Sequence, residues 1–179
     1  FRGASWLEDP AGEAPDASDR AMLGEFERER RWSRTWLVSL GSDAAMSSEP
    51  RLVFDRSVND RYNDPGSPLF ETTPRGENLI KVMGSGGSEM VFLSGQGATP
   101  EGDRPFLSRM NLSDFSREIL WRNEGEKFES VIDVLGEDGQ SLRMVTSMES
   151  KTTPPNMFER RLGAQGAAGE ARALTTFTD

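Results

Sequence analysis

The hydrophobic residues of this chain fall in short runs and not in a helical period. The runs are four to eight residues long, rich in β-branched and aromatic side chains, and separated by Gly, Pro, Asn and Asp, which is typical of strands and turns. The pattern predicts twelve strands, at Gly3–Leu7, Ala21–Phe26, Thr35–Leu40, Arg51–Phe54, Leu79–Met83, Glu89–Leu93, Pro105–Leu112, Glu118–Trp121, Phe128–Leu135, Leu142–Met148, Asn156–Leu162 and Ala173–Phe177. The sequence therefore predicts an all-β fold. Only Glu25–Arg34 tolerates a helix, and its charges could equally flank a hairpin.

Three turn-like segments recur at a nearly constant spacing. Their final glycines, Gly12, Gly76 and Gly139, lie 64 and 63 residues apart. Each repeat also contains a longer strand, followed by a strand that ends in an aromatic residue. The longer strands, which we expect to be the third of each repeat, contain Leu37, Leu107 and Phe158. About four strands in roughly 60 residues is the content of a somewhat long β-propeller blade.

The repeats predict a partial β-propeller of about three four-stranded antiparallel blades, at roughly 1–56, 66–123 and 126–179. A β-sandwich is the alternative, because many short strands fit either fold, but the repeated turn register favours the propeller. Since propellers close with about 4–8 blades, three blades leave apolar faces open at both ends. We therefore expect missing blades or another chain to cover those ends, and we do not expect a free monomer.

The net charge of the chain bears on which partners it can bind. Thirty acidic residues against 21 basic ones give a net charge of −9 and a pI near 4.7. Nucleic-acid binding needs a basic surface, so we expect no nucleic-acid partner. No apolar run approaches the ~18 residues of a membrane-spanning helix, so we expect no membrane span either.

The chain contains neither cysteine nor histidine. It therefore has no disulfide, no thiolate or imidazole metal ligand, and no Ser-His-Asp triad. In addition, no serine lies in a G-x-S-x-G nucleophile elbow. We predict no catalytic, metal-binding or cofactor-binding residue in this chain.

Two kinds of polar loop suggest ligand binding, but a structural interpretation is favoured for both. One loop carries four oxygen-bearing side chains, those of Asn59, Asp60, Asn63 and Asp64. Their spacing does not match a Ca²⁺-binding EF-hand loop, and Asn and Asp also favour turns. Gly84–Ser88 and Gly95–Gly97 lack the spacing of phosphate-binding loops. They predict hairpin tips with glycines at positive φ.

A stretch of alternating arginine and tryptophan could stack on nucleotides. It contains Arg28, Arg30, Arg31, Trp32, Arg34 and Trp36. Three acids in the same stretch, Glu25, Glu27 and Glu29, cancel most of its positive field. A solvated hairpin with cation–π contacts is therefore favoured.

Two further patterns carry no identifiable chemistry. Asn111-Leu-Ser113 is a glycosylation triplet, which has meaning only in a secreted chain. A group of acids late in the chain forms no acid/base pair and predicts a charged rim. These acids are Glu124, Glu126, Glu129, Asp133, Glu137 and Asp138.

Two long motifs go beyond a generic propeller. They are Phe54–Pro68 (FDRSVNDRYNDPGSP) and Leu93–Leu107 (LSGQGATPEGDRPFL), with supporting similarity in Glu25–Leu40 and Glu149–Phe158. Over nearly its whole length the chain resembles the N-terminal β-propeller of glutamyl-endopeptidase-like members of the prolyl oligopeptidase family. These proteins occur in plant chloroplasts and in bacteria.

The resemblance implies a serine endopeptidase in which a propeller caps an α/β-hydrolase domain and restricts access of peptide substrates to its Ser, Asp and His triad. The propeller portion would be non-catalytic, with the remainder of the parent chain as its partner. The sequence ends where the resemblance places the start of the hydrolase domain. We therefore expect a fragment of such a peptidase, in the chloroplast stroma or the bacterial cytoplasm. Two alternatives stay open: a peptidase-derived, non-enzymatic scaffold or linker subunit of a larger assembly, and an independent ligand-binding β domain.

Overall fold

The computed structural model describes residues 3–7, 19–41, 45–85, 87–138, 141–163, 169 and 171–178. Within those ranges the chain forms strands and turns, with no helix. The strands are β1 (Gly3–Trp6), β2 (Asp19–Glu27), β3 (Trp32–Leu40), β4 (Arg51–Ser57), β5 (Ser67–Pro68), β6 (Phe70–Thr72), β7 (Asn78–Ile80), β8 (Val82–Met83), β9 (Met90–Gly95), β10 (Ala98–Thr99), β11 (Gly102–Asp103), β12 (Phe106–Asn111), β13 (Arg117–Arg122), β14 (Phe128–Asp138), β15 (Ser141–Ser150), β16 (Thr153–Leu162) and β17 (Arg172–Ala173).

Three antiparallel sheets, of four, five and four strands, follow one another along the chain. The first sheet has the strand order β1-β2-β3-β4, the second has the order β5-β9-β12-β13 with β8 also paired to β9, and the third has the order β14-β15-β16-β17. In the first and third sheets, strands that are neighbours in space follow one another in sequence, as in a propeller blade. In the second, short strands intervene in sequence between β5 and β9 and between β9 and β12. The all-β, partial-propeller fold class is confirmed. Leu37, Leu107 and Phe158 lie on β3, β12 and β16, the third strand of each sheet, as predicted.

The chain divides into two compact units. The first comprises Phe1–Arg61 with Phe70–Val82, and the second comprises Tyr62–Leu69 with Met83–Asp179. The first unit contains the first sheet and the small hairpin of β6 and β7. Its buried apolar side chains include those of Ala21, Met22, Leu37, Val38 and Ile80.

The second unit packs the second and third sheets around a shared apolar core. Leu69, Phe92, Leu107 and Trp121 come from the second sheet and its approach, while Val131, Val134, Leu142, Met144 and Leu162 come from the third. On β15 the buried positions are Leu142, Met144 and Thr146. Because side chains alternate between the two faces of a strand, this period of two places one face of the third sheet on the core and leaves the other outside.

The segment that tolerates a helix, Glu25–Arg34, is a hairpin. It comprises the end of β2, a turn and the start of β3, with Glu27 opposite Trp32 in the register. The backbone N–H of Arg31 donates to the carbonyl oxygen of Arg28 at 3.3 Å, and Arg31 itself adopts φ +51°. At this turn both strands therefore extend beyond their predicted ends, β2 to Glu27 and β3 from Trp32.

Two predicted strands are wrong in extent. The predicted strand Leu79–Met83 is interrupted at Lys81, so that β7 and β8 are separate strands, of which β7 pairs with β6. Strand pairing depends on tertiary neighbours, which a continuous apolar run does not reveal. The predicted strand Ala173–Phe177 shrinks to β17. Beyond it, the N–H of Leu174 still donates to the carbonyl oxygen of Met157 at 2.8 Å. Side-chain acceptors then take over: Thr175 Oγ1 accepts from the N–H of Met157, and Asn156 Oδ1 accepts from that of Phe177.

The predicted repeat of glycines is only partly visible. Gly76 adopts φ +87° in the turn of the β6–β7 hairpin. Gly12 and Gly139 lie outside the described residues. The equivalence of the three turns and the proposed blade boundaries stay predictions.

Candidate functional site

The two long sequence motifs meet in the second unit. The end of the first motif, β5, pairs with β9 of the second, with Ser67 opposite Ser94 and Pro68 opposite Leu93. The Oδ1 of Asp64 accepts the backbone N–H of Gly66 at 3.0 Å, which fixes the turn before β5. The end of the first motif and the start of the second motif therefore lie on paired strands.

Glycines allow close backbone approaches at this junction. A Cβ on Gly66 of the first motif would lie 2.5 Å from the carbonyl oxygen of Ser94 in the second. Within the second motif, a Cβ on Gly97 would lie 1.9 Å from the carbonyl oxygen of Arg104. The two glycines also adopt φ +84° and φ +62°. Only glycine combines this backbone conformation with the absence of a side chain. Gly66 and Gly97 therefore serve close backbone packing. The hairpin-tip prediction is wrong for Gly95, which ends β9 and has no positive φ.

Arginines close the other side of this junction. The guanidinium carbon of Arg122 lies 5.4 Å from the ring centre of Phe106, a cation–π contact. The Nη1 of Arg104 donates to the carbonyl oxygen of Gly125 at 3.0 Å. These contacts hold the loops together, and they bring no acid, base or nucleophile into a reactive arrangement.

The core-facing side of the third sheet contains a buried ion pair. Glu129 is 4% exposed. Its Oε1 accepts from Thr146 Oγ1 and from Arg160 Nε, each at 2.6 Å, and its Oε2 accepts from Arg160 Nη2 at 2.8 Å. The carboxylate is thus held by a two-pronged guanidinium contact and by a hydroxyl.

The prediction of a charged rim is wrong for Glu129. On β14 this residue lies two positions before the buried Val131, so both side chains share the face that packs on the core. That parity was visible in the sequence, whereas the partner Arg160, 31 residues away, was not. Of the other acids, Glu124, Glu126 and Glu137 are exposed, Asp133 is half-buried, and the side chain of Asp138 lies outside the described part.

The outer face of the third sheet contains a second carboxylate held by two arginines. Glu159 on β16 is 6% exposed. Its Oε1 lies 2.8 Å from Arg143 Nε, and its Oε2 accepts from Arg172 Nε at 3.1 Å and from Arg172 Nη2. The hydrogen bonds from Arg172 and Arg143 hold the pKa of Glu159 below its ordinary value of 4.5.

A cavity of about 390 Å³ opens at this network. It is lined by Arg143, Glu159, Arg161 and Arg172. Arg143 on β15 lies directly opposite Arg161 on β16 in the strand register. Three guanidinium groups and one carboxylate therefore line the cavity. We call these four residues the arginine cavity, and it is the candidate binding site of the chain.

The other predicted candidates make ordinary structural contacts. In the polar loop, Asn59 Oδ1 accepts from Arg31 Nε at 3.0 Å. In the glycine segment before β9, Gly84 and Gly87 adopt φ +89° and +86°, as predicted for a hairpin tip. Asn111 Oδ1 accepts the N–H of Ser113 at 2.7 Å in the turn that follows β12.

The arginine- and tryptophan-rich stretch forms the predicted solvated hairpin. Trp36 Nε1 donates to Glu25 Oε2 at 3.1 Å. The guanidinium carbon of Arg30 lies 5.2 Å from the ring centre of Trp32. The indole N–H of Trp36 is therefore bonded to a carboxylate, and the ring of Trp32 contacts a guanidinium. Both tryptophans make these contacts within the hairpin itself.

The described part of the chain includes no group of three or more Asp or Glu side chains placed to hold a metal ion. No helix in that part is long and apolar enough to span a membrane.

The chain is similar to plant proteins named as peptidases. It is 34% identical over 160 residues to "Probable glutamyl endopeptidase, chloroplastic" of Oryza sativa subsp. japonica. It is also 34% identical over 161 residues to the protein of the same name from Arabidopsis thaliana. Each match covers 85% of this chain and 16% of the relative, so the chain spans about a sixth of the length of these relatives. No family model and no solved structure matches it.

Proposed function

We propose that this chain is the propeller portion of a serine endopeptidase of the prolyl oligopeptidase family and that it is itself non-catalytic. In the intact enzyme its sheets would cap the catalytic cavity and restrict the entry of peptide substrates. The observation that carries the proposal is 34% identity over 85% of the chain to proteins named as glutamyl endopeptidases. The three successive antiparallel sheets, of four, five and four strands, support it.

The partner in this proposal is the remainder of the parent polypeptide, and a larger assembly is the alternative. We place the intact enzyme in the chloroplast stroma or the bacterial cytoplasm, because the plant relatives are named as chloroplastic. Glutamate-containing peptides are the substrate class that these names suggest.

A serine-reactive fluorophosphonate probe tests whether the reactive serine lies in the full-length protein but outside the 179-residue chain. The full-length natural protein should label and should cleave fluorogenic peptides after glutamate, whereas the 179-residue chain should do neither, because it has no histidine to activate a serine. Absence of labelling in the full-length protein would favour the scaffold alternative. Turnover by the purified 179-residue chain would show that it is an enzyme in its own right.

The gating role is tested by substrate size. In the full-length protein, Gly97→Ala should disturb the strand junction and raise the cleavage rate of a large unfolded protein relative to that of a pentapeptide. Gly76→Ala is the matched control, because a Cβ at Gly76 would meet nothing within 4 Å. An unchanged rate ratio in a Gly97→Ala protein with demonstrably altered structure would contradict gating.

A further inference from the structure

The last described segment of the chain lies along β16 with little apolar burial. Within residues 172–177, which we call the strap, Thr175 is half-buried and the other side chains are exposed. Leu174 and Phe177 are 46% and 62% exposed. Because hydrophobic burial contributes little here, polar contacts hold the strap on β16.

One side chain of β16 supplies several of these contacts. Asn156 is 6% exposed. Its Nδ2 donates to the carbonyl oxygen of Phe177 at 3.0 Å, and its Oδ1 accepts the N–H of the same residue at 2.6 Å. The amide group of Asn156 therefore binds both backbone polar groups of Phe177, as a neighbouring strand would.

The rest of the strap is held by a short backbone ladder and by two side chains. β17 pairs with β16, and the N–H of Leu174 donates to the carbonyl oxygen of Met157 at 2.8 Å. Thr175 Oγ1 donates to Asn156 Oδ1 at 3.0 Å and accepts the N–H of Met157 at 2.9 Å. Arg172 Nε donates to Glu159 at 3.1 Å. These side-chain contacts make the pairing selective for the sequence of the strap.

We propose that the strap is a detachable strand and that Asn156 is the residue that latches it onto β16. When the strap opens, the backbone N–H and C=O of Met157 lose their partners, and β16 becomes an edge that binds another extended polypeptide. The strand that fits carries threonine at the position of Thr175 and arginine three residues earlier. This device goes beyond the proposed gating role and does not depend on it.

Hydrogen–deuterium exchange of the purified chain, followed by mass spectrometry, tests the latch. We expect Asn156→Ala to speed exchange of the fragment that contains the strap at least tenfold, because the N–H of Phe177 loses its acceptor. The fragment that contains β16 should also exchange faster, since the N–H of Met157 is bonded to the strap. Unchanged exchange in both fragments would overturn the proposal.

Asn123→Ala is the matched control for a buried asparagine that binds backbone. Asn123 is 5% exposed, donates to the carbonyl oxygen of Lys127 and accepts the N–H of Gly125. Because these contacts lie in the turn before β14, this variant should leave exchange of the strap unchanged. If it speeds exchange of the strap as much as Asn156→Ala does, the effect is one of global stability and the latch is contradicted.

A peptide added in trans tests whether the edge binds a strand. Thr175→Val weakens the strap but leaves β16 intact. In this variant, the synthetic peptide acetyl-Ala-Arg-Ala-Leu-Thr-Thr-Phe-Thr-amide, which has the sequence of residues 171–178, should slow exchange of the β16 fragment at about 1 mM, the effective concentration typical of a short tether. The same peptide with valine in place of its first threonine should protect at least tenfold less. Equal protection by the two peptides, or protection by neither, would contradict a selective strand-binding edge.

Discussion

Gly97 and Gly76 share a positive φ, yet the space around them differs. At Gly97 a Cβ would lie 1.9 Å from a backbone oxygen, whereas at Gly76 it would meet nothing within 4 Å. We expect Gly97→Ala to lower the free energy of unfolding by more than about 3 kcal/mol, since a backbone clash adds to the strain. Gly76→Ala should cost about 1–2 kcal/mol, the strain alone. Urea denaturation followed by tryptophan fluorescence measures both, and equal losses would contradict the close approach.

Glu129 and Glu118 both pair with an arginine, one inside the protein and one on its surface. Replacing Glu129 by glutamine leaves Arg160 buried without its counter-charge, and we expect a loss of about 3–5 kcal/mol of unfolding free energy. Glu118→Gln removes an exposed pair with Arg109 and should cost about 0–1 kcal/mol. The same denaturation experiment compares them. A loss below 1 kcal/mol for Glu129→Gln would show that the carboxylate is not held as described.

The sequence contains the information that Glu129 is buried, but it does not predict its hydrogen-bond partners. The alternation of side chains assigns Glu129 to the core face, because it shares its parity with Val131. Its hydrogen bonds to Thr146 and Arg160 depend on the register of three strands, which no local pattern encodes. The arginine cavity was missed for the same reason, since Arg143, Glu159 and Arg172 come from three different strands.

At the level of the elements, the sequence predicted the long strands well and the short ones poorly. On β15 buried and half-buried positions alternate, as one buried face of a sheet requires. β2, β3, β14 and β16 contain the apolar runs from which their strands were predicted. β5, β6, β10 and β11 are two or three residues long and lie in segments assigned to loops. Such short strands form because a neighbouring strand supplies hydrogen-bond partners, so their own side chains need show no pattern.

The Glu159 network ties β15, β16 and β17 together and should make the third sheet sensitive to acid. The pKa of Glu159 is lowered in the folded chain, so the unfolded chain takes up the proton more readily. The stabilisation is therefore fully present above the ordinary pKa of 4.5 and is lost as the pH falls through the folded value. We expect the melting temperature of the wild type to fall more steeply below about pH 5 than that of Glu159→Gln.

An Arg172→Gln background provides the control for this pH dependence. There the largest cause of the lowered pKa is removed, so adding Glu159→Gln should change the acid slope much less. Parallel melting profiles for the wild type and Glu159→Gln would contradict the role of the network.

For the whole molecule, the exposed apolar side chains of the third sheet suggest that the chain requires a partner. Ile132, Leu135, Met157 and Leu174 are each 44–48% exposed. We expect the purified chain to associate at micromolar concentration, because burial of such side chains is favourable. Sedimentation velocity measures this. The double variant Ile132→Thr and Leu135→Thr should shift the distribution toward monomer, and a compact wild-type monomer would contradict the expectation.

The buried pair of Glu129 and Arg160 also restricts how this sequence can diverge over evolutionary time. A mutation that removes only one of the two residues leaves the other charge buried without a counter-charge and lowers the free energy of unfolding by about 3–5 kcal/mol. Replacing both by apolar residues of similar volume is about neutral or stabilising. The two positions should therefore be inherited as a unit. Across homologous genes we expect glutamate at one and arginine at the other, or apolar residues at both, with few sequences carrying only one of the two charges.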